Sequence, residues 1–260
     1  MPIIGRYSLI QCAIFSAVIV LPLGSLFVAA QTPSNSVSFE TLSANAASAR
    51  EAGHTDEAVR KYRSAVELRP AWDEGWWYLG TLLYDSDHFE EAIPALHHLL
   101  GLDPKLGPAW AFLGLCEFES GDYPNALVHL QTAHRLGFAE DPEIEKVALY
   151  HLGLLLNLHG EFEQATNLLV SSFGPSQFTE QIKVVLGFSL LRVPLLPTQI
   201  DPSKDALIHA AGETAVSLAN HETDAASRDF EAMLRDYPGT PYLHYQYGLA
   251  LASASKFQSD

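Results

Sequence analysis

Cysteine, basic side chains and catalytic motifs are all scarce in this chain of 260 residues. Its two cysteines, Cys12 and Cys116, are too few for a disulfide framework or a multi-cysteine zinc site. Lysine and arginine number 15 against 31 acidic residues, so the formal net charge is −16. Because nucleic-acid phosphates are bound by clustered basic side chains, this balance argues against nucleic acid as a ligand. Hydrophobic residues make up 48% of the chain, enough for a folded core.

The common catalytic signatures are absent as well. The sequence has no G-x-S-x-G, H-E-x-x-H, P-loop or paired-cysteine motif. The chain has eleven histidines, and four of them form two groups, His97 with His98 and His129 with His134. No carboxylate is spaced to complete a metal site with them. We therefore predict that the protein is not an enzyme and that it has no catalytic residues, no metal site and no cofactor.

Charge is also nearly missing from the N terminus, where Arg6 is the only formally charged side chain before Glu40. An apolar run from Leu9 to Val28 follows, and small residues follow that run. This order is typical of a secretory signal peptide, which we place at residues 1–30 with cleavage after Ala30. The alternative is an uncleaved N-terminal membrane anchor, since a run of about 20 apolar residues can span a bilayer.

A cleaved signal peptide predicts an exported protein. We expect it in the periplasm or secreted, within a bacterial cell envelope, and without stable membrane insertion once the leader is removed. Residues 31–38 are then a linker between the leader and the folded region.

Small residues recur at a fixed step through the rest of the chain. Gly80, Ala92 and Pro104 are separated by 12 and 12 residues, and this spacing recurs 34 residues earlier and 34 residues later. Apolar side chains between them follow helical spacing, with a polar break inside each repeat. The pattern predicts a helical hairpin in which small residues let two antiparallel helices approach each other. Such a short hairpin cannot bury its own apolar face, so the hairpins must stack.

This pattern resembles the tetratricopeptide repeat family. Two repeats carry the resemblance, through Trp76, Leu79, Gly80, Ala92, Leu96, Leu99 and Pro104, and through Trp110, Leu113, Gly114, Ala126, Leu130 and Ala133. It implies an all-α fold, a right-handed superhelical solenoid of antiparallel helix pairs, with about five to six repeats and a final half repeat.

The same pattern predicts how the chain is divided. We expect tetratricopeptide-like repeats over residues 39–192, a proline-rich loop over 193–205, and a further repeat with an incomplete last repeat over 206–260. The fifth repeat is expected to be degenerate, because Pro194 and Pro197 fall where its second helix should begin.

In tetratricopeptide repeats the inner, concave face is formed by the first helix of each repeat. Its positions give nine candidate residues for a peptide-binding groove in this chain: Trp77, Thr81, Tyr84, Asp85, Leu115, Phe118, Glu119, Tyr150 and Asn157. These residues are aromatic and apolar with acidic edges, and none is a lysine or arginine. Together with the net charge, they predict a protein or peptide partner that is apolar with basic flanks. The alternative is that the aromatic residues only pack between neighbouring helices.

These features predict a non-enzymatic scaffold of the cell envelope that binds a protein or peptide. One alternative is a cell-wall glycan-binding module, because aromatic faces can stack on sugars. Another is the repeat region of a longer protein whose activity lies elsewhere. Residues 241–257 favour the latter, since they are predicted to form a last helix with more apolar surface than one neighbour covers. We expect the chain to be a fragment, or that helix to dock on a partner or a second copy.

Overall fold

The computed structural model describes residues 38–139, 141–174 and 177–257. The predicted signal peptide, residues 1–30, lies outside the described residues, as does nearly all of the predicted linker. The chain divides into two compact parts, one ending at Arg69 and the other beginning at Pro70. Among the helices of the described ranges, none has the length and apolar character needed to cross a membrane.

The described residues form twelve α-helices and contain no strand. In the first part, α1 (Phe39–Glu51) packs against α2 (Thr55–Leu68). The second part contains ten helices: α3 (Asp73–Asp85), α4 (Phe89–Leu102), α5 (Gly107–Glu119), α6 (Tyr123–Leu136), α7 (Pro142–Leu158), α8 (Phe162–Ser172), α9 (Glu180–Leu191), α10 (Asp205–Ala219), α11 (Thr223–Asp236) and α12 (Pro241–Phe257). Each of these ten packs against the next along the chain, which confirms the predicted all-α fold of stacked helical hairpins.

Short polar side chains fix several of the helix starts. The carboxylates of Asp122 and Asp141 accept hydrogen bonds from backbone N–H groups in the first turns of α6 and α7. The Thr179 hydroxyl does the same at the start of α9. These caps satisfy donors that a helix N-terminus would otherwise leave without a partner, so the sequence itself sets where these helices begin.

The glycines of the Leu-Gly pairs mark the points where the two helices of a repeat cross. A Cβ atom at Gly80 would lie 2.7 Å from Leu96 Cδ2, and one at Gly153 would lie 3.1 Å from Leu169 Cδ1. Gly114 stands in the same relation to Leu130, with 2.8 Å to its Cγ. In each repeat the leucine lies sixteen residues after the glycine and is fully buried. The predicted role of small residues at the helix crossing is therefore confirmed, and its partner is a leucine of the second helix.

The fifth repeat departs from this arrangement. Residues 193–204 contain no α-helix, only two 3-10 turns at Pro197–Gln199 and Pro202–Lys204. Gly187, which matches Gly80 in the repeat pattern, lies against α10, where an added Cβ would clash with the carbonyl oxygen of Ile208. A Cβ at Gly212 of α10 would clash with a backbone carbonyl of α9 in turn. α10 therefore packs where the missing second helix would, and the two backbones meet at a pair of glycines.

The turn inside each repeat contains one residue in the left-handed region of backbone conformation. The equivalent position is occupied by Gly53, Asp87, Gly121, Gly160 and His221, with φ between +60° and +85°. Glycine adopts this conformation at no steric cost, whereas other L-residues lose roughly 1–2 kcal/mol. The two non-glycine occupants, Asp87 and His221, are of types that adopt this conformation more often than other L-residues, so the turn geometry is kept without glycine.

A pair of glycine substitutions tests this account. Both Gly121 and Gly101 have open space where a Cβ would be added, but Gly121 has φ +81° and Gly101 lies in regular helix near the end of α4. We expect Gly121→Ala to lower the free energy of unfolding by about 1 kcal/mol, and Gly101→Ala to raise it by up to about 1 kcal/mol. Urea unfolding followed by circular dichroism measures both. Changes of the same sign would contradict the assignment.

Candidate functional site

The aromatic candidates lie in two groups along the first helices α3, α5 and α7. In the first aromatic group, Phe112 packs edge-on against Trp77, with ring centroids 5.5 Å apart, and against Tyr84 at 5.1 Å. Phe89 completes this group through its contact with Tyr84 at 5.7 Å. All four side chains are half-buried, so part of each ring remains open to solvent.

The second aromatic group lies one repeat further along. The ring of Phe118 is 4.7 Å from that of His151 and 5.4 Å from that of Tyr123. Tyr150 lies edge-on to His151 at 5.0 Å. These four rings are also half-buried. The structure therefore brings Trp77 and Tyr84 together in one group and Phe118 and Tyr150 in the other.

Four members of these groups were not among the predicted residues: Phe89, Phe112, Tyr123 and His151. Phe112 joins α5 to Trp77 and Tyr84 of α3, and His151 joins α7 to Phe118 of α5. Each lies two residues before the glycine of its Leu-Gly pair, so the repeat alignment contains the signal. In α5 and α7 this position bridges two successive first helices.

Carboxyl groups flank the first aromatic group. Asp85 and Glu119 are exposed residues at the ends of α3 and α5, and partial desolvation raises the pKa of both carboxyl groups. Burial raises the pKa of Tyr84 to about 12, with further contributions from Cys116 and from the charges of Glu119, Asp85 and Asp87. Within the described residues, no ion pair joins Asp85 or Glu119 to a basic side chain. The surface beside Tyr84 is therefore negative.

Thr81, Leu115 and Asn157 do not present free side chains to a groove. The Thr81 hydroxyl donates to the carbonyl oxygen of Trp77 in its own helix, at 3.0 Å. Leu115 is 1% exposed and Asn157 is 0% exposed, so the prediction that these two line a groove is corrected. Both lie where successive first helices pack on one another, which removes them from solvent.

Asn157 instead forms a buried polar network between α7 and α9. Its amide nitrogen donates to the carbonyl oxygen of Val185 at 2.9 Å, and the hydroxyl of Ser189 donates to its amide oxygen at 2.9 Å. Both side chains are buried, so their hydrogen bonds compensate for the loss of water. The network fixes the register between the two helices.

Glu117 and His129 form a second buried polar contact, which the sequence analysis did not anticipate. Their side chains, from α5 and α6, meet with 2.6 Å between Glu117 Oε2 and His129 Nδ1. The ring of Trp110 lies 5.1 Å from that of His129. Burial lowers the pKa of His151, while the hydrogen bond that its Nδ1–H donates to the carbonyl oxygen of Val147 acts in the opposite direction.

No group of three or more histidine, cysteine, aspartate or glutamate side chains in the described ranges is arranged to hold a metal ion. His97 lies edge-on to His129, and His98 packs against Trp76, so these histidines take part in packing between helices.

Cys116 is fully buried, and burial raises the pKa of its thiol to about 12. Its thiolate is therefore disfavoured at neutral pH.

The structural role of Asn157 can be tested by mutation. We expect Asn157→Ala to lower the free energy of unfolding by about 1 kcal/mol, because the buried Val185 carbonyl and Ser189 hydroxyl each lose one hydrogen bond, although the Ser189 hydroxyl still reaches the Val185 carbonyl oxygen at 3.1 Å. Asn167→Ala, at an exposed position in α8, is the matched control and should change stability by less than about 0.5 kcal/mol. Equal effects in chemical denaturation would show that Asn157 is not part of a buried network.

A sequence model of the tetratricopeptide repeat family matches residues 44–104 and 79–142. Among solved structures, MamA protein is similar to this chain with a TM-score of 0.53 and 20% sequence identity, covering 76% of this chain and 94% of that one. A thermophilic TPR protein of Thermus thermophilus has a TM-score of 0.39 and 17% identity, over 83% and 100% of the two chains. No curated protein sequence matches the chain.

The family match and the likeness to MamA agree with the hairpins seen here. The family match spans residues 44–142, where the crossings at Gly80 and Gly114 repeat most regularly. The likeness to MamA shows a shared fold. The resemblance drawn from the spacing of small residues is confirmed, and residues 44–142 of this chain match the tetratricopeptide repeat family.

Proposed function

We propose that this protein is a non-enzymatic scaffold of the cell envelope that binds a protein or peptide along α3, α5 and α7. Tetratricopeptide repeats generally mediate protein–protein interaction. The observation that carries the proposal is the first aromatic group, whose half-buried rings lie beside the exposed acidic residues Asp85 and Glu119. The envelope location rests on the sequence of residues 1–30.

The aromatic groups are suited to binding because their rings are already held in place. Phe112 contacts both Trp77 and Tyr84, so these two side chains lose little conformational freedom when a partner covers them. Aromatic side chains are also enriched among the residues that contribute most to protein interfaces. We therefore take Trp77, Tyr84, Phe118 and Tyr150 as the apolar contacts of the groove, with Phe112 and His151 holding them.

The charges select the partner. Asp85 and Glu119 have no basic counterpart within the described residues, and their carboxyl pKa values are raised by partial desolvation. A cationic side chain placed beside them would favour their charged form, whereas an acidic one would be repelled. The proposed partner is a protein segment that is apolar with basic flanks.

Three synthetic peptides test this specificity. They share one apolar, aromatic-containing core and differ only in flanks of lysine, glutamine or glutamate. We expect affinity to fall in that order, and Tyr84→Ala or Trp77→Ala to weaken binding of the lysine-flanked peptide by about 30-fold, which corresponds to the ~2 kcal/mol of an interface hot spot. Isothermal titration calorimetry measures all of these affinities.

A pair of double variants separates the groove from general electrostatics. Asp85→Asn with Glu119→Gln should remove the preference for lysine flanks. Glu90→Gln with Glu145→Gln changes the net charge equally at exposed helical positions and should keep the preference. Equal affinity of the three peptides, or equal effects of the two double variants, would refute the groove.

Cosedimentation with purified cell wall that is lost in Trp77→Ala would support a glycan-binding module instead.

A further inference from the structure

His151, in the second aromatic group, lies in surroundings that favour its neutral form. The rings of Phe118 and Tyr150 lie 4.7 Å and 5.0 Å from its own ring. Its Nδ1–H donates to the carbonyl oxygen of Val147 at 2.7 Å, so Nε2 is the unprotonated nitrogen of the neutral ring. Within the described residues, no group forms a hydrogen bond with Nε2. A proton added there finds no acceptor in the protein.

No counterion balances such a proton. Two causes act on the pKa of His151: burial lowers it, and the hydrogen bond to Val147 raises it by a smaller amount. Neither cause is a charged side chain. His129 differs, because the Glu117 carboxylate lies 2.6 Å from its Nδ1 and would balance a proton there. A positive charge on His151 is therefore costly wherever water is kept from the ring.

The helices packed against α7 hold their titratable groups in other contacts. Beside Phe118, Glu119 of α5 is exposed, and Tyr123 of α6 packs on the Phe118 ring. His134 and Arg135 are exposed in the last turn of α6. On α7 itself, burial raises the pKa of Tyr150, which keeps that phenol uncharged at neutral pH. The charged side chains of α8 and α9 are already paired, Glu163 with Arg192, and Lys183 with Glu180 and Glu213.

Part of the His151 ring is still open to solvent, since the residue is half-buried. In the free protein, water can therefore accept a hydrogen bond from a protonated Nε2. An apolar segment lying on Phe118 and Tyr150 would cover this opening and remove that water. The pKa of His151 is then lower in the complex than in the free protein, because the charged ring loses its remaining hydration. Binding of such a partner requires the neutral ring.

We propose that His151 is the point at which protons compete with the partner for the groove, so that acid displaces the partner. Affinity is complete above the pKa of the free ring, which lies below the ordinary 6.5, and it decreases as the pH falls through that pKa. This competition rests on the proposed function. The state of the ring in the free protein rests only on the contacts of α5 and α7.

Nitrogen NMR tests the state of the ring without any partner. The full chain is purified with the N terminus that the cell leaves and with 15N-labelled histidine, and His151→Phe identifies the His151 signals by their loss. We expect the chemical shifts of a neutral ring protonated at Nδ1, and a titration midpoint below 6.5. A ring protonated at Nε2, or a midpoint at or above 6.5, would overturn the proposal whether or not any peptide binds.

Calorimetry with the glutamine-flanked peptide measures the effect on binding. The flanks of this peptide carry no charge, so protonation of Asp85 and Glu119 does not change their attraction for it. The titration runs from about pH 7.5 to one unit below the NMR midpoint of His151. We expect the affinity of the wild-type protein to fall by about tenfold, which is the ratio of protonated to neutral ring one unit below its pKa.

His151→Phe is the matched control, because it keeps an aromatic ring beside Phe118 without a titratable nitrogen. Its affinity should stay constant within about twofold over the same range. Asp85→Asn with Glu119→Gln should show the same fall as the wild type. A constant wild-type affinity, or an equally large fall in His151→Phe, would overturn the proposal. Absence of binding by all three peptides at neutral pH would refute the proposed function and the competition with it, even where the NMR result holds.

Discussion

The structure depends on one repeated contact, the crossing of a glycine in the first helix of a repeat with a leucine in the second. At Gly80 the missing side chain leaves room for Leu96, which is fully buried there. Burying a leucine contributes about 1.5–3 kcal/mol, and the close approach adds dispersion contacts along both helices. The same contact recurs at Gly114 and Gly153, so each hairpin has the same crossing geometry and can stack on the next.

The proposed groove follows from that constraint. Because the crossings hold each second helix on one side, the first helices α3, α5 and α7 pack on one another and bring their aromatic side chains into contact. Phe112 and His151 then hold the neighbouring rings at fixed separations.

The local signals in the sequence were sufficient for the fold and only partly so for the site. The spacing of small residues predicted the hairpins because two helices can cross closely only where one residue is small, and this requirement recurs in successive repeats. It did not predict that Leu115 and Asn157 are buried, since burial there depends on which helix covers them. Glu117 and His129 meet across two helices, twelve residues apart, and no periodic signal marks that pair. The pairing of α9 with α10 likewise depends on tertiary packing across a proline-rich loop.

A double-mutant cycle on Gly80 and Leu96 tests the central contact most directly, with the free energy of unfolding as the measured quantity. Gly80→Ala should destabilise the native protein, because the new Cβ would lie 2.7 Å from Leu96. In the Leu96→Ala background the same substitution should be neutral or stabilising, since the clash is gone and alanine favours the helix by about 1 kcal/mol. The account predicts this change of sign. Effects of Gly80→Ala that agree within about 0.5 kcal/mol in the two backgrounds would contradict it.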